Sequence, residues 1–148
     1  MSEDEKFMKQ ALEEAKKAYH MGEIPIGAVV VCNGSVVARG HNMTETLNDV
    51  TAHAEMLAIT SAANVLGGKY LKNCTVYVTM EPCAMCAAAL GWSQAKRVVF
   101  GAEDEKKGYR KTTSSVLHAK TEVVCGVLAK ECGDIVKEFF ANNCRRKK

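Results

Sequence analysis

Between Asp4 and Met21 the apolar residues Phe7, Met8, Ala11, Leu12, Ala15, Ala18 and Tyr19 return every three or four positions, the spacing of a helix with one buried face. Gly22 stops it. Ile26 to Cys32 is nearly continuous in apolar residues and rich in valine, as a buried strand is. Asn33-Gly34 follows, and Val36 to Ala38 resumes the β-branched pattern. An Asn-Gly pair between two such runs predicts a hairpin, because both turn residues need positive φ. A polar loop, Gly40 to Thr51, leads into a helix predicted from about Ala52 to Val65 and broken by Gly67-Gly68.

Cys74 to Met80 reads as the next strand, and Glu81-Pro82 is a sharp junction after it. Cys83 to Trp92 is Ala-rich and helical, and Arg97 to Ala102 is another short apolar strand. This strand–helix–strand order is a βαβ unit, which implies parallel pairing. Glu103 to Ser115 is polar and basic, hence an exposed loop; Val123 to Val127 reads as a short strand and Leu128 to Asn142 as a last amphipathic helix. The pattern predicts one α/β domain, residues 1–148, around a mixed sheet.

Composition narrows the setting. The chain has 148 residues, 47% hydrophobic and 25% charged, a size that suits one domain. No apolar stretch approaches the roughly 18 residues of a membrane span, so no membrane partner is expected. Met1-Ser2-Glu3-Asp4-Glu5 is acidic and lacks the apolar core of a secretory signal, which points to a cytoplasmic protein. Seven cysteines cannot pair completely, so metal ligands or buried thiols are the leading readings. Charge is uneven: residues 1–90 carry seven basic against ten acidic side chains, residues 91–148 thirteen against seven. A basic C-terminal part ending Arg145-Arg146-Lys147-Lys148 suits a polyanion or a solvated tail.

The chemistry concentrates in His53-Ala54-Glu55, at one predicted helix start, and Pro82-Cys83-Ala84-Met85-Cys86, at another. Cys-x-x-Cys at a helix start puts two sulfurs about one turn apart, where the helix dipole favours thiolates. One imidazole adds a third ligand of a type zinc accepts, leaving the fourth tetrahedral position open for water. Glu55, two residues beyond His53, projects differently and is free to handle protons. Together these supply metal-assisted hydrolysis. A redox pair or half of a structural zinc site is the alternative, with His20, His41, His118 or another cysteine as a fourth ligand, but none of these forms a second ligand-spaced pair.

His-x-Glu with Pro-Cys-x-x-Cys is the zinc nucleobase-deaminase pattern. The chain resembles the bacterial tRNA-specific adenosine deaminases of the cytidine/deoxycytidylate deaminase superfamily over nearly its whole length. The resemblance runs through Glu23-Ile24-Pro25-Ile26-Gly27-Ala28-Val29-Val30, Gly40-His41-Asn42, Thr51-Ala52-His53-Ala54-Glu55-Met56, Val78-Thr79-Met80-Glu81-Pro82-Cys83 and Arg97 to Ala102, and Phe139-Phe140 resembles the family's last helix. It implies a cytidine-deaminase-like three-layer α/β/α sandwich with a central mixed five-stranded sheet, as a homodimer. It further implies conversion of the wobble adenosine of a tRNA anticodon stem-loop to inosine, with release of ammonia. His53, Cys83 and Cys86 would bind one Zn2+ per subunit, and Glu55 would be the catalytic proton carrier. Asn42, Ile24, Pro25 and Ala54 would contact the substrate. Lys106, Lys107, Arg110, Arg145 and Arg146 are candidate cations for RNA phosphates. The chain departs from the family pattern at Val50, where a Pro is common, and in the shorter segment from Tyr109 to Lys120.

Two other functions compete. A zinc deaminase of a free base or nucleoside (guanine, cytosine or cytidine) shares the metal chemistry, but a small neutral substrate has no use for a basic C-terminal half. A non-catalytic zinc module that binds RNA has no use for Glu55.

Overall fold

A computed structural model describes residues 1–112 and 116–143. Helix α1 (Glu3–His20) starts at a capping box in which Ser2 and Glu5 exchange side-chain and backbone bonds. The hairpin β1 (Gly27–Cys32) and β2 (Ser35–His41) turns at Asn33 and Gly34, whose φ values are 53° and 78°. After it come α2 (Ala54–Leu66), β3 (Cys74–Met80), α3 (Ala84–Ser93) and β4 (Arg97–Ala102). A four-residue helix α4 (Tyr109–Thr112), strand β5 (Glu122–Cys125) and helix α5 (Ala129–Asn143) complete the order.

The five strands form one sheet in the order β2-β1-β3-β4-β5. β1 runs antiparallel to both β2 and β3, whereas β3, β4 and β5 are parallel. Residues of alternate parity face opposite sides, as the pleat requires. Ala28, Val30, Val76, Val78, Val98 and Phe100 pack under α2 and α3, while Val29, Val31, Tyr77 and Val99 pack under α1 and α5. Helices on both faces explain why β1, β3 and β4 read as unbroken apolar runs. The result is the expected three-layer α/β/α sandwich with a mixed five-stranded sheet.

Two close approaches set the helices on the sheet. A Cβ on Gly27 would overlap the backbone of Ala11 and Ala15 in α1, and one on Gly40 would overlap Ala54 and Ala58 in α2. Asp4 at the start of α1 takes a two-nitrogen ion pair from Arg97 and a bond from the Tyr77 hydroxyl.

Three expectations change. β2 continues past Ala38 through Arg39 into Gly40 and His41, the last two of which the polar loop was expected to hold; it pairs with β1 along one edge only, so polar residues fit there. β5 ends at Cys125, because Gly126 (φ 87°) and Leu128 (φ 54°) turn the chain into α5. The segment 103–115 is not uniformly exposed: Gly108 and Tyr109 are buried, and α4 forms where the chain folds back onto Pro82 and Glu81. Among the described residues no helix is long and apolar enough to cross a membrane.

Candidate active site

The parallel strands β3 and β4 end on the same side of the sheet as the segment that enters antiparallel β1. In open α/β sheets this carboxyl edge is where ligands bind. The chain turns there from β3 through Glu81 and Pro82 into α3, and α2 begins beside it. His53 is the N-cap of α2 and Cys83 the N-cap of α3, yet neither makes a side-chain cap bond. A side-chain cap typically contributes about 1 kcal/mol. Both helices forgo it, and both side chains turn toward each other instead.

His53 Nδ1 lies 3.7 Å from Cys83 Sγ and 3.6 Å from Cys86 Sγ. A tetrahedral ion with bonds of about 2.0 Å to nitrogen and about 2.3 Å to sulfur separates the two kinds of ligand atom by roughly 3.5 Å, so the triangle fits zinc as it stands. The group consists of these three residues; neither His20, His41, His118 nor another described cysteine joins it. A structural zinc site closes with a fourth protein ligand, whereas this one leaves a position for water.

Proton distribution prepares the triangle for a cation. The Cys86 thiol donates to Cys83 and holds the Cys83 sulfur down to about 4 against the opposing effect of burial. The same bond, with burial, pushes Cys86 up. The Cys83 thiolate in turn raises His53. One thiolate therefore stands ready, and an ion displaces the protons that remain.

Glu55 is buried in the first turn of α2, in the same corner. Burial pushes its carboxyl up to about 7, and the negative Cys83 adds to this. A carboxyl poised near neutrality is suited to both taking and giving a proton.

A cavity of about 500 Å³ opens over these residues. Ile24, Ile26, Asn42 and Thr44 form one wall; Met80, Glu81, Asp104, Lys106 and Lys107 form the other; His53, Ala54, Glu55 and Cys83 lie at the metal end. Asn42 is buried, and its Oδ1 has no protein partner among the described residues. A buried acceptor left open at a cavity is ready for a ligand donor. Pro25 is buried and does not line the cavity.

The cations separate into three groups. Lys106 and Lys107 are exposed at the cavity. Arg110 turns inward, pairing with buried Glu81 and with Glu103 and lying 4.9 Å from the centre of the Phe100 ring. Arg145 and Arg146 lie outside the described residues. Sequence reasoning left open which of the adjacent phenylalanines is free: Phe140 is exposed and lines the cavity with Val136, while Phe139 is buried. Adjacent phenylalanines on one helix must diverge, and that divergence was the available signal. Glu23 and Glu81 were missed as structural carboxylates.

A water-activating metal site with its own proton carrier, at the base of a cavity large enough for one nucleobase, defines a metal-dependent hydrolase. Residues 1–102 match the cytidine and deoxycytidylate deaminase zinc-binding region. The chain is 48% identical to the tRNA-specific adenosine deaminase of Bacillus subtilis, across all of this chain and 95% of that protein. A structure solved in studies of A-to-I editing by tRNA:A34 deaminases at the wobble position of transfer RNA superposes with a TM-score of 0.82 at 42% identity, over 88% of this chain and 98% of that one. Guanine deaminase from Bacillus subtilis superposes with a TM-score of 0.64 at 44% identity, over 67% and 64%. The chain thus belongs to the zinc-dependent cytidine and deoxycytidylate deaminase family, within its tRNA-specific adenosine deaminase branch. It is a hydrolytic deaminase with zinc as cofactor, and His53, Cys83 and Cys86 form the cluster that can hold one ion.

Loss of even an outer-shell partner commonly costs a zinc site 10–100-fold in affinity, so Cys86→Ala should weaken zinc binding by more than about 100-fold. Glu55→Ala should leave zinc stoichiometric. Metal analysis of the purified variants checks both; a Cys86→Ala protein that keeps a full complement of zinc would remove Cys86 from the ligand set.

Proposed function

We propose that this protein deaminates the wobble adenosine of a tRNA anticodon stem-loop to inosine, releasing ammonia, and that residues 1–148 act as one deaminase domain in the cytoplasm. The observation that carries the reading is the open zinc triangle beside buried Glu55, in a cavity whose rim is cationic and aromatic. His53, Cys83 and Cys86 would hold zinc, whose Lewis acidity would make water a nucleophile near neutral pH. With the ion bound, Glu55 would take one proton from the attacking water and place it on ring nitrogen N1 as the C6–O bond forms, and would carry the water's second proton to the amine as the C6–N bond breaks. The backbone amides near Ala54 and Cys83, at two helix N-termini, favour developing negative charge. Asn42 offers its unpartnered Oδ1 to the base, and Ile24 packs on the base's face with Pro25 supporting that wall.

A wobble base fits this entrance because anticodon loop bases can be splayed out of their stack, whereas an adenine inside a helix is out of reach. Phe140 at the mouth offers a stacking face to a neighbouring base, and Lys106 and Lys107 offer charge to phosphates. Arg110, engaged with Glu81, serves the rim rather than a phosphate.

The exposed side of α2 and α3 supports a homodimer. Their one charged residue, Glu55, is buried, and the outer side includes Trp92 at 83% and Val65 at 63% exposure. Helices without a charged face are covered in their working state. A second copy covers this face; Trp92→Glu should shift sedimentation from dimer to monomer, and an unchanged dimer would place the interface elsewhere.

The substrate is tested by offering zinc-loaded protein a wobble-adenosine stem-loop, the same loop with that base replaced, and free guanine, cytosine, cytidine and adenosine, with products scored by mass. Inosine should form in the first RNA alone. Turnover confined to free guanine or another small substrate would move the protein to the free-base reading. Glu55→Ala should bind the stem-loop as the parent does while turnover falls by at least about 100-fold, the lower end of what acid–base catalysis contributes. Unchanged turnover would end the proton-carrier role.

A further inference from the structure

Two carboxylates, Glu81 in the cavity lining and Glu23 next to the lining residue Ile24, are buried, take no part in the metal triangle, and have both oxygens held by protein donors. Glu23 is 1% exposed. Its Oε1 accepts from the Glu45 backbone N–H at 3.1 Å; its Oε2 accepts from the Thr46 N–H and hydroxyl, both at 2.6 Å. Glu81 is 5% exposed. Its Oε1 accepts from the Asp104 N–H at 3.2 Å and Arg110 Nη2 at 3.3 Å, and its Oε2 from the Arg110 N–H at 3.2 Å and Nε at 3.1 Å.

Each carboxylate does the same job on opposite walls. Glu23 directly precedes Ile24 and ties it to the loop after β2 that carries Thr44. Glu81 lies two residues before Cys83 and ties that segment to the loop after β4 that carries Lys106 and Lys107. The second loop lies directly on the carboxylate: a Cβ on Gly108 would overlap the Glu81 head group, and Gly108 bridges Cys83 through the backbone. Burying a carboxylate costs several kcal/mol before its partners repay it. Loops held in one geometry before the ligand arrives spare binding the cost of ordering them.

We infer that Glu23 and Glu81, with Arg110, are positioning residues that preset the two rims of the cavity for its RNA substrate. They act through loop geometry and touch neither the reacting base nor the metal. The inference rests on the RNA-deaminase reading for its kinetic consequence, while its structural consequence stands by itself.

The test uses the zinc-loaded full chain with Glu23→Gln and Glu81→Gln, isosteric changes that point an amide N–H₂ where backbone N–H groups donate. Amide hydrogen exchange should accelerate about tenfold or more at Glu45 and Thr46 in the first variant only, and at Asp104 and Arg110 in the second only. With the wobble-adenosine stem-loop, KM should rise about tenfold in each while kcat stays within about twofold and zinc stays stoichiometric, the pattern of lost uniform binding. Arg110→Lys and Thr46→Val give the same test should a glutamine variant fail to fold, because each removes one partner and leaves the carboxylate in place. Unchanged exchange and KM would overturn the inference, as would a fall in kcat at constant KM, which would put the carboxylate in the chemistry. If the parent protein forms no inosine in RNA, the proposed function falls, and the exchange measurement still decides the clamps.

Discussion

Two helices surrender their N-terminal side-chain caps to one cation, and the rest of the site follows from that. His53 and Cys83 stand at the positions where Ser, Thr or Asp would ordinarily bond the first turn. They face each other because α2 and α3 lie side by side on one sheet face with both N-termini at the carboxyl edge of β3 and β4. Cys86, one turn into α3, closes the triangle, and Glu55, in the first turn of α2, is carried into the same corner. Metal ligands and proton carrier are fixed on helix starts, so their geometry is that of the scaffold and not of a loop. Without an ion the corner holds a thiolate, a thiol, an imidazole and a buried carboxyl close together. Zinc bound by His53, Cys83 and Cys86 would resolve that crowding.

The cavity depends on a second layer of constraint. Its floor is secondary structure, and much of its wall is loop. Glu23 and Glu81 convert these loops into fixed surfaces by accepting backbone N–H groups that no strand or helix uses. The rim above is made of groups suited to a nucleic acid: ammonium groups and one exposed aromatic ring. Chemistry at the base and recognition at the mouth are thus carried by different elements, which lets related folds keep the metal corner and alter the substrate.

Much of this is legible in the chain. β1, β3 and β4 are buried on both faces, so their valine runs stand out, and β3 and β4 fall on the residues read as strands. The metal corner is legible because ligand chemistry demands particular residues at fixed spacing beside a helix start. β2 is shorter in the sequence reading because an edge strand tolerates Arg39 and His41, which carry no strand signal. The 103–115 segment escapes because its anchor, Glu81, is 29 residues away from Arg110, and a charged residue near a polar loop reads as surface. Glu81 does sit between a buried strand and a ligand motif, a place where an exposed carboxylate is out of character. Phe140 differs from Phe139 only by 100° of helix rotation, and which of them faces the cavity is decided by how α5 lies on β4.

The most direct measurement is inosine formation in a wobble-adenosine stem-loop before and after chelation of the protein, and again after one equivalent of zinc is restored. The account predicts turnover that disappears with the metal and returns in proportion to zinc bound at His53, Cys83 and Cys86. Turnover that persists in metal-free protein would contradict it.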